Sequence, residues 1–329
     1  MPVSGPDVLV VGAGVSGLTT AVCLAETGRR VEIRTDRLPG DTTSAVAGAI
    51  WGPHLVETGE RAARWRRATL GVLRELATGP DSGATGVRIA SGAQVFRASP
   101  GPPPDWLTDL GGYRPCRPAE LPPGFSSGWR YTAPLAHMPS YLGYLRARFE
   151  RAGGRLATGR VTSLAGAARE AGAPVVVNCS GAHARQLAGD PAVTPVRGQA
   201  VVAVNPGLTE FLIAPSDSSA ELAYLFPHRG QIVLGGSEGP GDWNLEPDPA
   251  IAERILRDCA AIEPRLRGAQ VLAHRVGLRP ARPAVRLEAE PAAAGGGPLI
   301  VHNYGHGGGG ITMSWGCARE AASLAASRG

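Results

Sequence analysis

Near the start of the chain, a short apolar run leads directly into a glycine-rich turn, and this arrangement restricts the possible folds severely. Residues 8–11 have the composition of a buried strand, and Gly12, Gly14 and Gly17 follow them in a GxGxxG pattern. The first glycine permits a tight turn, the second lets the backbone approach a pyrophosphate, and the third lets a helix pack on the strand. The N-terminus of that helix offers free N–H groups to phosphate oxygens. The segment therefore predicts a dinucleotide-binding site.

The residues that follow complete a βαβ unit of about thirty residues. They predict a helix over 18–27, which Gly28 ends, and a second strand over 31–34. Asp36 lies nineteen residues after Gly17, where a carboxylate bonds a ribose hydroxyl in such folds, and a surface turn is the alternative. The pattern itself does not distinguish NAD from FAD. The predicted cofactor contacts of this unit are Gly12, Ala13, Gly14, Val15, Ser16, Gly17, Asp36 and Arg37.

Composition excludes several kinds of chemistry. All 33 basic residues are arginine, so the chain has no lysine for a Schiff base or for a P-loop. The formal net charge is +5, but the arginines are scattered, which does not favour nucleic-acid binding. The five cysteines form no CxxC pair, so we predict no metal site and a reducing, cytoplasmic location. The apolar stretch 8–25 contains three glycines and several hydroxyl residues, and we predict that it does not span a membrane. The bias toward arginine, alanine and glycine is typical of a GC-rich, bacterial genome.

The remaining pattern predicts an α/β fold with two interleaved domains. Predicted strands cover 175–177, 199–204, 231–235 and 299–301. Pro139 and Ser140 start a predicted helix that Gly153 and Gly154 end, and two more predicted helices cover 249–262 and 311–326. Residues 100–123 are rich in proline and glycine, which predicts loops and short strands. Strands of the parallel type lie at both ends and in the middle of the chain. We therefore predict a Rossmann-type domain over 1–55, 135–195 and 280–329, and an α+β substrate domain with a mostly antiparallel sheet over 56–134 and 196–279.

Five motifs extend across essentially the whole chain: Thr42-Thr43-Ser44 leading to Ala47-Gly48-Ala49-Ile50-Trp51, Val177-Asn178-Cys179-Ser180-Gly181, Arg197-Gly198-Gln199, Gly277-Leu278-Arg279-Pro280-Ala281-Arg282-Pro283 and His302-Asn303-Tyr304-Gly305-His306-Gly307-Gly308. Together, and in this order, they resemble the motifs of the D-amino-acid oxidase family. The resemblance implies non-covalent FAD and oxidation of D-amino acids to imino acids. It also implies that molecular oxygen is the electron acceptor and that hydrogen peroxide is a product.

The resemblance assigns the substrate contacts as well. Arg279 has the position of the family's carboxylate-binding arginine, with an inter-strand salt bridge as the alternative, whereas Arg282 is expected to be structural. Tyr224 has the position of a tyrosine whose hydroxyl meets the same carboxylate, with a core tyrosine as the alternative. The Gly308 carbonyl is expected to receive the substrate amino group. These assignments make Arg279, Tyr224 and Gly308 the predicted catalytic residues, and Gly52, His54, Ile213 and Phe226 are the further predicted substrate contacts.

The remaining flavin contacts also follow from the resemblance. In the run Gly307–Gly310 the backbone approaches the isoalloxazine because no Cβ intervenes, and a merely flexible loop is the alternative. The helix that follows is expected to point its positive end at the pyrimidine edge and raise the reduction potential. The predicted contacts are Thr42, Thr43, Ser44, Gly48, Ala49, Ile50, Val161, Ser180, Gly181, Gly307, Gly308, Gly309, Gly310, Ile311 and Thr312.

The implied reaction is hydride transfer from the substrate Cα to flavin N5, which needs positioning rather than a side-chain base. We expect His306 to pack or hydrogen-bond near the flavin turn, and the role of His302 is left open. Oxidation of glycine or another small amine, a dehydrogenase with a different electron acceptor, and a catalytically inactive flavoprotein are the alternatives. The family also suggests a homodimer.

Some positions depart from the family pattern, and the departures remove volume. Ala220 stands where eukaryotic members have a second tyrosine, Gly52 and His54 stand where Gln and Tyr are common, and Gly309 replaces a tyrosine. The stretch 214–222, which forms a lid in the family, is about two residues short. These differences predict a roomier pocket that accepts bulky D-amino acids. The lid carries no extra basic residue, so D-aspartate is not favoured.

Overall fold

The computed structural model describes residues 5–52, 59–99, 101–218, 221–290 and 296–327. Two positions from the sequence predictions, His54 and Ala220, lie outside these ranges. The strands are β1 (Val8–Val11), β2 (Val31–Thr35), β3 (Val87–Phe96), β4 (Arg114–Pro115), β5 (Ser127–Ala136), β6 (Arg155–Thr158), β7 (Val175–Asn178), β8 (Thr194–Val204), β9 (Phe211–Pro215), β10 (Leu222–Pro227), β11 (Gln231–Gly235), β12 (Gly239–Pro240), β13 (Val271–Ala281), β14 (Arg286–Ala289) and β15 (Leu299–Tyr304). The helices are α1 (Val15–Ala25), α2 (Thr43–Val46), α3 (Glu60–Thr78), α4 (Ser82–Thr85), α5 (Asp105–Asp109), α6 (Met138–Arg151), α7 (Leu164–Ala171), α8 (Ala184–Leu187), α9 (Pro249–Ile262) and α10 (Gly310–Ala326).

One sheet has six strands in the order β14-β15-β7-β1-β2-β6, and all of its pairs are parallel except β14 with β15. Every residue of β1 is buried, as expected for a central parallel strand with helices on both faces. Val8 and Val10 pack in a core with residues of α1, α6 and α10, whereas Leu9 and Val11 pack with residues of α7. This sheet is the predicted Rossmann-type layer.

The second sheet has nine strands in the order β12-β8-β11-β10-β9-β3-β5-β4, with β13 paired to β8. Its pairs are antiparallel except β3 with β9, which confirms the predicted mostly antiparallel sheet. Strand β8 is central to the layer because it pairs with β11, β12 and β13. Helix α9 buries Ala252, Ile255 and Cys259 against this sheet.

The predicted strands and helices are present, with some differences in their limits. The first helix begins at Val15 rather than at residue 18, because the helix starts inside the glycine pattern. Residues 100–123 contain β4 as predicted and also the short helix α5, whose Leu107 is fully buried. Burial of that leucine is a tertiary effect that local composition does not report. Within the described ranges, no helix combines the length and hydropathy needed to cross a bilayer.

The two sheets draw on alternating segments of the chain, as the predicted domain division requires, and the division itself stays a prediction. Strands β5, β8 and β13 each cross one of the proposed boundaries by two residues. The predicted division assigns helix α3 to the second domain, but α3 packs against α10 of the first domain. The Gly316 N–H donates to Thr69 Oγ1 at 3.0 Å, and a Cβ added at Gly316 would lie 2.4 Å from Trp65 Cα.

Candidate active site

A cavity of about 530 Å³ lies where the carboxyl ends of β1, β2 and β7 face the nine-stranded sheet. This volume is in the range of small-molecule and cofactor sites, and the position matches the rule for open α/β sheets. The part lined by residues 11–16, 34–37, 159–162 and 179–181 is called the glycine end below. The part lined by Glu221, Leu222, Tyr224, residues 236–238 and Arg279 is called the arginine end.

The glycine end is shaped by backbone that has no room for side chains. Gly12 has a φ of +105°, and a Cβ added there would lie 2.5 Å from the Cys179 carbonyl oxygen. At Gly17 an added Cβ would lie 1.9 Å from the Gly12 carbonyl oxygen. The Val15 N–H donates to Ser44 Oγ at 2.9 Å, so α2 also fixes the start of α1. The turn is therefore held open toward the cavity by close backbone packing, as the sequence pattern predicts.

The same end collects polar groups suited to a dinucleotide. The N-terminus of α1 faces the cavity through Gly14, Val15 and Ser16, and it supplies amide donors and a partial positive charge. Asp36 and Arg37 follow β2 directly and line the cavity. A carboxylate at the end of this strand is placed as a ribose-binding residue would be.

At the arginine end, Arg279 extends from β13 across β8. Its guanidinium packs over Gly198, where an added Cβ would lie 2.5 Å from Arg279 Nη1, and that nitrogen donates to the Ser237 carbonyl oxygen at 2.9 Å. Arg279 forms no ion pair with any carboxylate among the described residues. Arg282 differs, because its Nε donates to Asp190 Oδ2 at 3.0 Å. This ion pair agrees with the structural role predicted for Arg282, and within the described residues Arg279 does not form the alternative inter-strand salt bridge.

Tyr224 lies beside Arg279 in a closely packed setting. Its ring stacks on Phe226 with centroids 4.6 Å apart and an interplanar angle of 17°. Gly235 makes room for the phenol, since a Cβ added there would lie 2.1 Å from Tyr224 Cζ. Burial raises the pKa of Tyr224, and the nearby positive charge of Arg279 opposes that shift. Tyr224 is therefore a neutral hydroxyl that can donate to an anion held by Arg279.

The glycine run between β15 and α10 connects the two ends of the cavity. Gly307 has a φ of +52°, and its N–H donates to the Pro280 carbonyl oxygen at 2.9 Å, one residue beyond Arg279. His306 is buried, and its Nδ1 lies 3.4 Å from Ser16 Oγ. Burial lowers the pKa of His306 to about 4, so its imidazole is neutral at pH 7. The buried His306 Nε2 has no hydrogen-bond partner among the described residues, which leaves a polar atom for a bound group.

Most of the predicted contacts line this cavity. They are Gly12, Ala13, Gly14, Val15, Ser16, Asp36, Arg37, Thr42, Thr43, Ser44, Gly48, Ala49, Ile50, Gly52, Val161, Ser180, Gly181, Ile213, Tyr224, Phe226, Arg279, Gly307, Gly308, Gly310 and Ile311. Gly17, Gly309 and Thr312 do not line it. Gly17 packs α1 on the turn, the Gly309 N–H donates to the His306 carbonyl oxygen, and Thr312 Oγ1 donates to the Gly52 carbonyl oxygen at 2.9 Å. His54 lies outside the described residues.

The site residues predicted from the sequence do not include an aromatic wall and two acidic residues that also line the cavity. Trp51, Trp106 and Tyr131 line the cavity in a chain of edge-on contacts, with centroids 6.4 and 5.6 Å apart. Their scarcity was a usable signal, because aromatic residues are 5% of the chain. Glu221 and Glu238 also line the cavity, and no sequence signal marked them. His302 is buried away from the cavity and pairs with Glu290 at 2.7 Å.

Comparison with known proteins identifies the family. A family model described as FAD dependent oxidoreductase matches residues 7–324. A D-amino-acid oxidase from Rubrobacter xylanophilus is 51% identical over 317 residues, which cover 96% of this chain and 95% of that protein. A D-amino-acid oxidase from Streptomyces coelicolor is 47% identical over 320 residues, covering 97% and 96%. The crystal structure of glycine oxidase from Geobacillus kaustophilus has the same fold, with a TM-score of 0.78 at 21% identity over 97% of this chain and 94% of that one. With this match and a cavity built to receive a dinucleotide, the chain belongs to the family of FAD-dependent oxidoreductases, and FAD is its cofactor.

Proposed function

We propose that the chain is an oxidase that deaminates D-amino acids. The chemistry that FAD supplies when bound is acceptance of a hydride from the substrate Cα and return of both electrons to molecular oxygen, which gives hydrogen peroxide. The imino acid left behind hydrolyses to a 2-oxo acid and ammonia. The protein contributes binding and orientation to this reaction rather than a nucleophile or a base.

Arg279 carries the proposal. It lines the cavity, and it has no ion-pair partner among the described residues, so its charge is available to a bound anion. A planar guanidinium holds a carboxylate through two parallel hydrogen bonds, which fixes the orientation of the substrate as well as its position. The α-carboxylate of an amino acid fits this requirement.

Tyr224 and Gly308 complete the proposed substrate contacts. The neutral Tyr224 hydroxyl donates to the same carboxylate, and the Gly308 carbonyl oxygen accepts from the substrate amino group. These three contacts would hold two substituents of the substrate Cα, the carboxylate and the amino group, and so would orient the Cα–H bond. His306 is assigned no proton transfer from substrate, because its contact is with Ser16 at the glycine end.

The proposed cofactor contacts divide between two helix N-termini. The amides at the start of α1 would hold the pyrophosphate, and Asp36 would bind a ribose hydroxyl. The run Gly307–Gly310 and the start of α10 would contact the flavin, and the helix N-terminus would supply a partial positive charge to it. The His306 Nε2 atom is a further polar group that FAD would satisfy.

The proposal includes a roomy substrate pocket, and one position, Gly52, supports it. Among the described residues beyond its chain neighbours, the nearest atom to a Cβ added at Gly52 is Trp106 Cζ3 at 3.9 Å, so this glycine leaves space against the aromatic wall. Gly309 does not line the cavity, so it adds no comparable space. A strong preference for D-alanine over D-phenylalanine would contradict the proposal of a roomy pocket.

The first experiment is anaerobic reduction of the purified, FAD-loaded protein, followed in the visible spectrum. We expect D-amino acids to bleach the flavin bands, L-enantiomers to leave them unchanged, and air to restore them with formation of peroxide. Bleaching by glycine or sarcosine instead would favour a small-amine oxidase, and reduction without peroxide formation would favour a dehydrogenase. Bands that survive every D-amino acid would overturn the proposed reaction.

The proposal also includes the cellular location, the oligomeric state and the domain division. A reducing, cytoplasmic location is supported by five cysteines that are all free of disulfides. Homodimer formation is proposed from the family resemblance and is tested by the mass of the FAD-loaded protein in light scattering. The two-domain division is proposed from the sheet membership of the segments and is tested by limited proteolysis.

A further inference from the structure

One part of the cavity carries no charge. It is called the neutral part below, and it is lined by Trp51, Gly52, Gln94, Trp106, Tyr131 and Ile213. Tyr131 is the only one of these six residues with an ionisable side chain, and burial raises its pKa, so the phenol stays neutral. A charged substrate side chain that entered the neutral part would lose its hydration and gain no counter-charge there. The neutral part therefore favours an uncharged side chain.

Strand pairing places Gln94 in line with the proposed carboxylate contacts. Tyr224 of β10 pairs with Ile213 of β9, and Ile213 pairs with Gln94 of β3. Directly paired residues project from the same face of a sheet, so the three side chains form one row, and all three line the cavity. When a substrate carboxylate is bound by Arg279 and Tyr224, Ile213 and then Gln94 are the next side chains along this row.

The side-chain amide of Gln94 is a polar group that the protein does not satisfy by itself. Gln94 is half-buried and lines the cavity, and its side chain forms no hydrogen bond with any described residue. Tyr131 pairs with Gly92, two residues before Gln94, and its ring lies edge-on to Trp106 with centroids 5.6 Å apart. An apolar ligand group that covered the amide would remove its water and offer no hydrogen bond in return. The site therefore discriminates between polar and apolar groups of the same size.

We propose that Gln94 binds a carboxamide at the end of the substrate side chain, so that D-asparagine and D-glutamine are favoured over apolar D-amino acids of the same shape. The assignment rests on the proposed oxidase function, in which Arg279 and Tyr224 take the α-carboxylate. A primary carboxamide is uncharged and presents a donor and an acceptor in one plane. It pairs with the Gln94 amide through two hydrogen bonds, in which the N–H of each group donates to the carbonyl oxygen of the other. The carboxylates of D-aspartate and D-glutamate have no N–H for Gln94 Oε1 and meet no counter-charge in the neutral part.

The test separates binding from turnover by using substrate analogues that have no α-amine. Succinamate and glutaramate keep the carboxylate and the carboxamide of asparagine and glutamine, and 4-methylpentanoate and 5-methylhexanoate are their apolar counterparts of the same shape. In calorimetric titration of the FAD-loaded protein, we expect at least one carboxamide to bind as tightly as its apolar counterpart or more tightly, although water solvates carboxamides better.

Gln94→Met removes the amide and keeps the length of the side chain. It should lower the ratio of carboxamide affinity to apolar affinity at least about tenfold, because the carboxamide loses two hydrogen bonds. The apolar analogues should bind more tightly than before, since they no longer cover an unpaired amide. A ratio that Q94M leaves unchanged in both pairs, or tighter binding of both apolar analogues in the native protein, would overturn the proposed role of Gln94.

Two further variants guard against trivial explanations. Gln94→Asn keeps an amide for the case that Q94M folds poorly, and it withdraws that amide by one methylene. It should lower the affinity for succinamate relative to glutaramate by about threefold or more, because the longer analogue reaches further, and an unchanged relative affinity would contradict a direct contact. Gln270→Met alters an exposed glutamine that does not line the cavity, so it should leave all these ratios unchanged. A fall in Q270M equal to that in Q94M would overturn the assignment to Gln94.

Steady-state kinetics then distinguish the role of Gln94 from the reaction itself. D-Asparagine and D-leucine have side chains of nearly the same shape, and D-glutamine extends the carboxamide by one methylene. We expect kcat/KM for the better of the two carboxamide substrates, relative to D-leucine, to fall about tenfold or more in Q94M. Binding of a carboxamide analogue that depends on Gln94, without oxidation of any D-amino acid, would support the role of Gln94 and overturn the reaction. Oxidation of D-amino acids with ratios that Q94M leaves unchanged would support the reaction and overturn the role of Gln94.

Discussion

The glycine end and the arginine end of the cavity are built in opposite ways. At the glycine end, the chain itself is the binding surface, and Gly12 and Gly17 allow contacts that no side chain would permit. At the arginine end, side chains are the binding surface, and glycines serve as the floor beneath them. Gly198 lies under the Arg279 guanidinium, and Gly235 lies against the Tyr224 ring. The same residue type therefore acts directly in one region and indirectly in the other.

The comparison predicts that function at the arginine end depends on a single side chain, that of Arg279. Function at the glycine end depends less on any one side chain. We expect Arg279→Met to lower kcat/KM for D-amino acids by about a thousandfold, since it removes a two-point, charge-assisted contact. FAD content, read from the visible spectrum, should not change. Arg282→Met is the matched control, because Arg282 pairs with Asp190. It should lower the melting temperature and leave kcat/KM within about threefold.

A substitution at the glycine end is expected to weaken FAD binding, in contrast to substitution of Arg279. In Gly17→Ala the new Cβ would lie 1.9 Å from the Gly12 carbonyl oxygen, so the turn must move. We predict a loss of FAD affinity of at least about a hundredfold, measured by the recovery of flavin fluorescence on release. Gly71→Ala is the control, because among the described residues no atom beyond its chain neighbours and the backbone of α3 would lie within 4 Å of its Cβ. It should stabilise the protein by about 0.5–1 kcal/mol, and a normal FAD affinity in G17A would break the comparison.

A variant of His306 tests whether its buried, neutral imidazole makes the stability of the protein depend on pH. Its pKa is lowered from an ordinary 6.5 to about 4, so the unfolded chain binds more protons between these values. Stability is thus lost as the pH falls through this window, by about 2 kcal/mol between pH 7 and pH 5. In His306→Asn the urea midpoint should depend less on pH over that interval. An identical pH dependence in the two proteins would exclude His306 as its source.

The smallest predicted effect concerns the Tyr224 hydroxyl at the arginine end. Tyr224→Phe keeps the stacked ring on Phe226 and removes one hydroxyl, so we expect about a tenfold loss in kcat/KM. Tyr131→Phe removes a hydroxyl from the aromatic wall of the same cavity and should change kcat/KM by less than about threefold. Equal effects in the two variants would show that the Tyr224 hydroxyl has no particular role.

The same contrast explains what the sequence predicted and what it did not. The βαβ unit and the parallel centre of the Rossmann-type layer were predicted, because the glycine end is specified by contiguous residues with a local steric reason. The outer strands β6 and β14 of that layer were not predicted. The resemblance supplied Arg279 and Tyr224, which lie far apart in the chain and have no shared local pattern. Glu238 and Trp106 were missed, because only pairing between strands and packing of α5 bring them to the cavity. Leu107, which anchors α5, was missed for the same reason.

Strand β8 also limits which length changes this fold can accept. It pairs with β11, β12 and β13. The backbone near Glu238 and the backbone of Arg279 are therefore both held in place by pairing with the same short stretch of β8. Side chains alternate between the faces of a strand, so insertion or deletion of one residue beside Gly198 would displace the floor of Arg279 and the pairing of Gly239 together. Variation in length is therefore confined to the connections between strands, such as residues 205–210 after β8. The reach of the pocket can change during evolution mainly through exchange of side chains on a fixed frame.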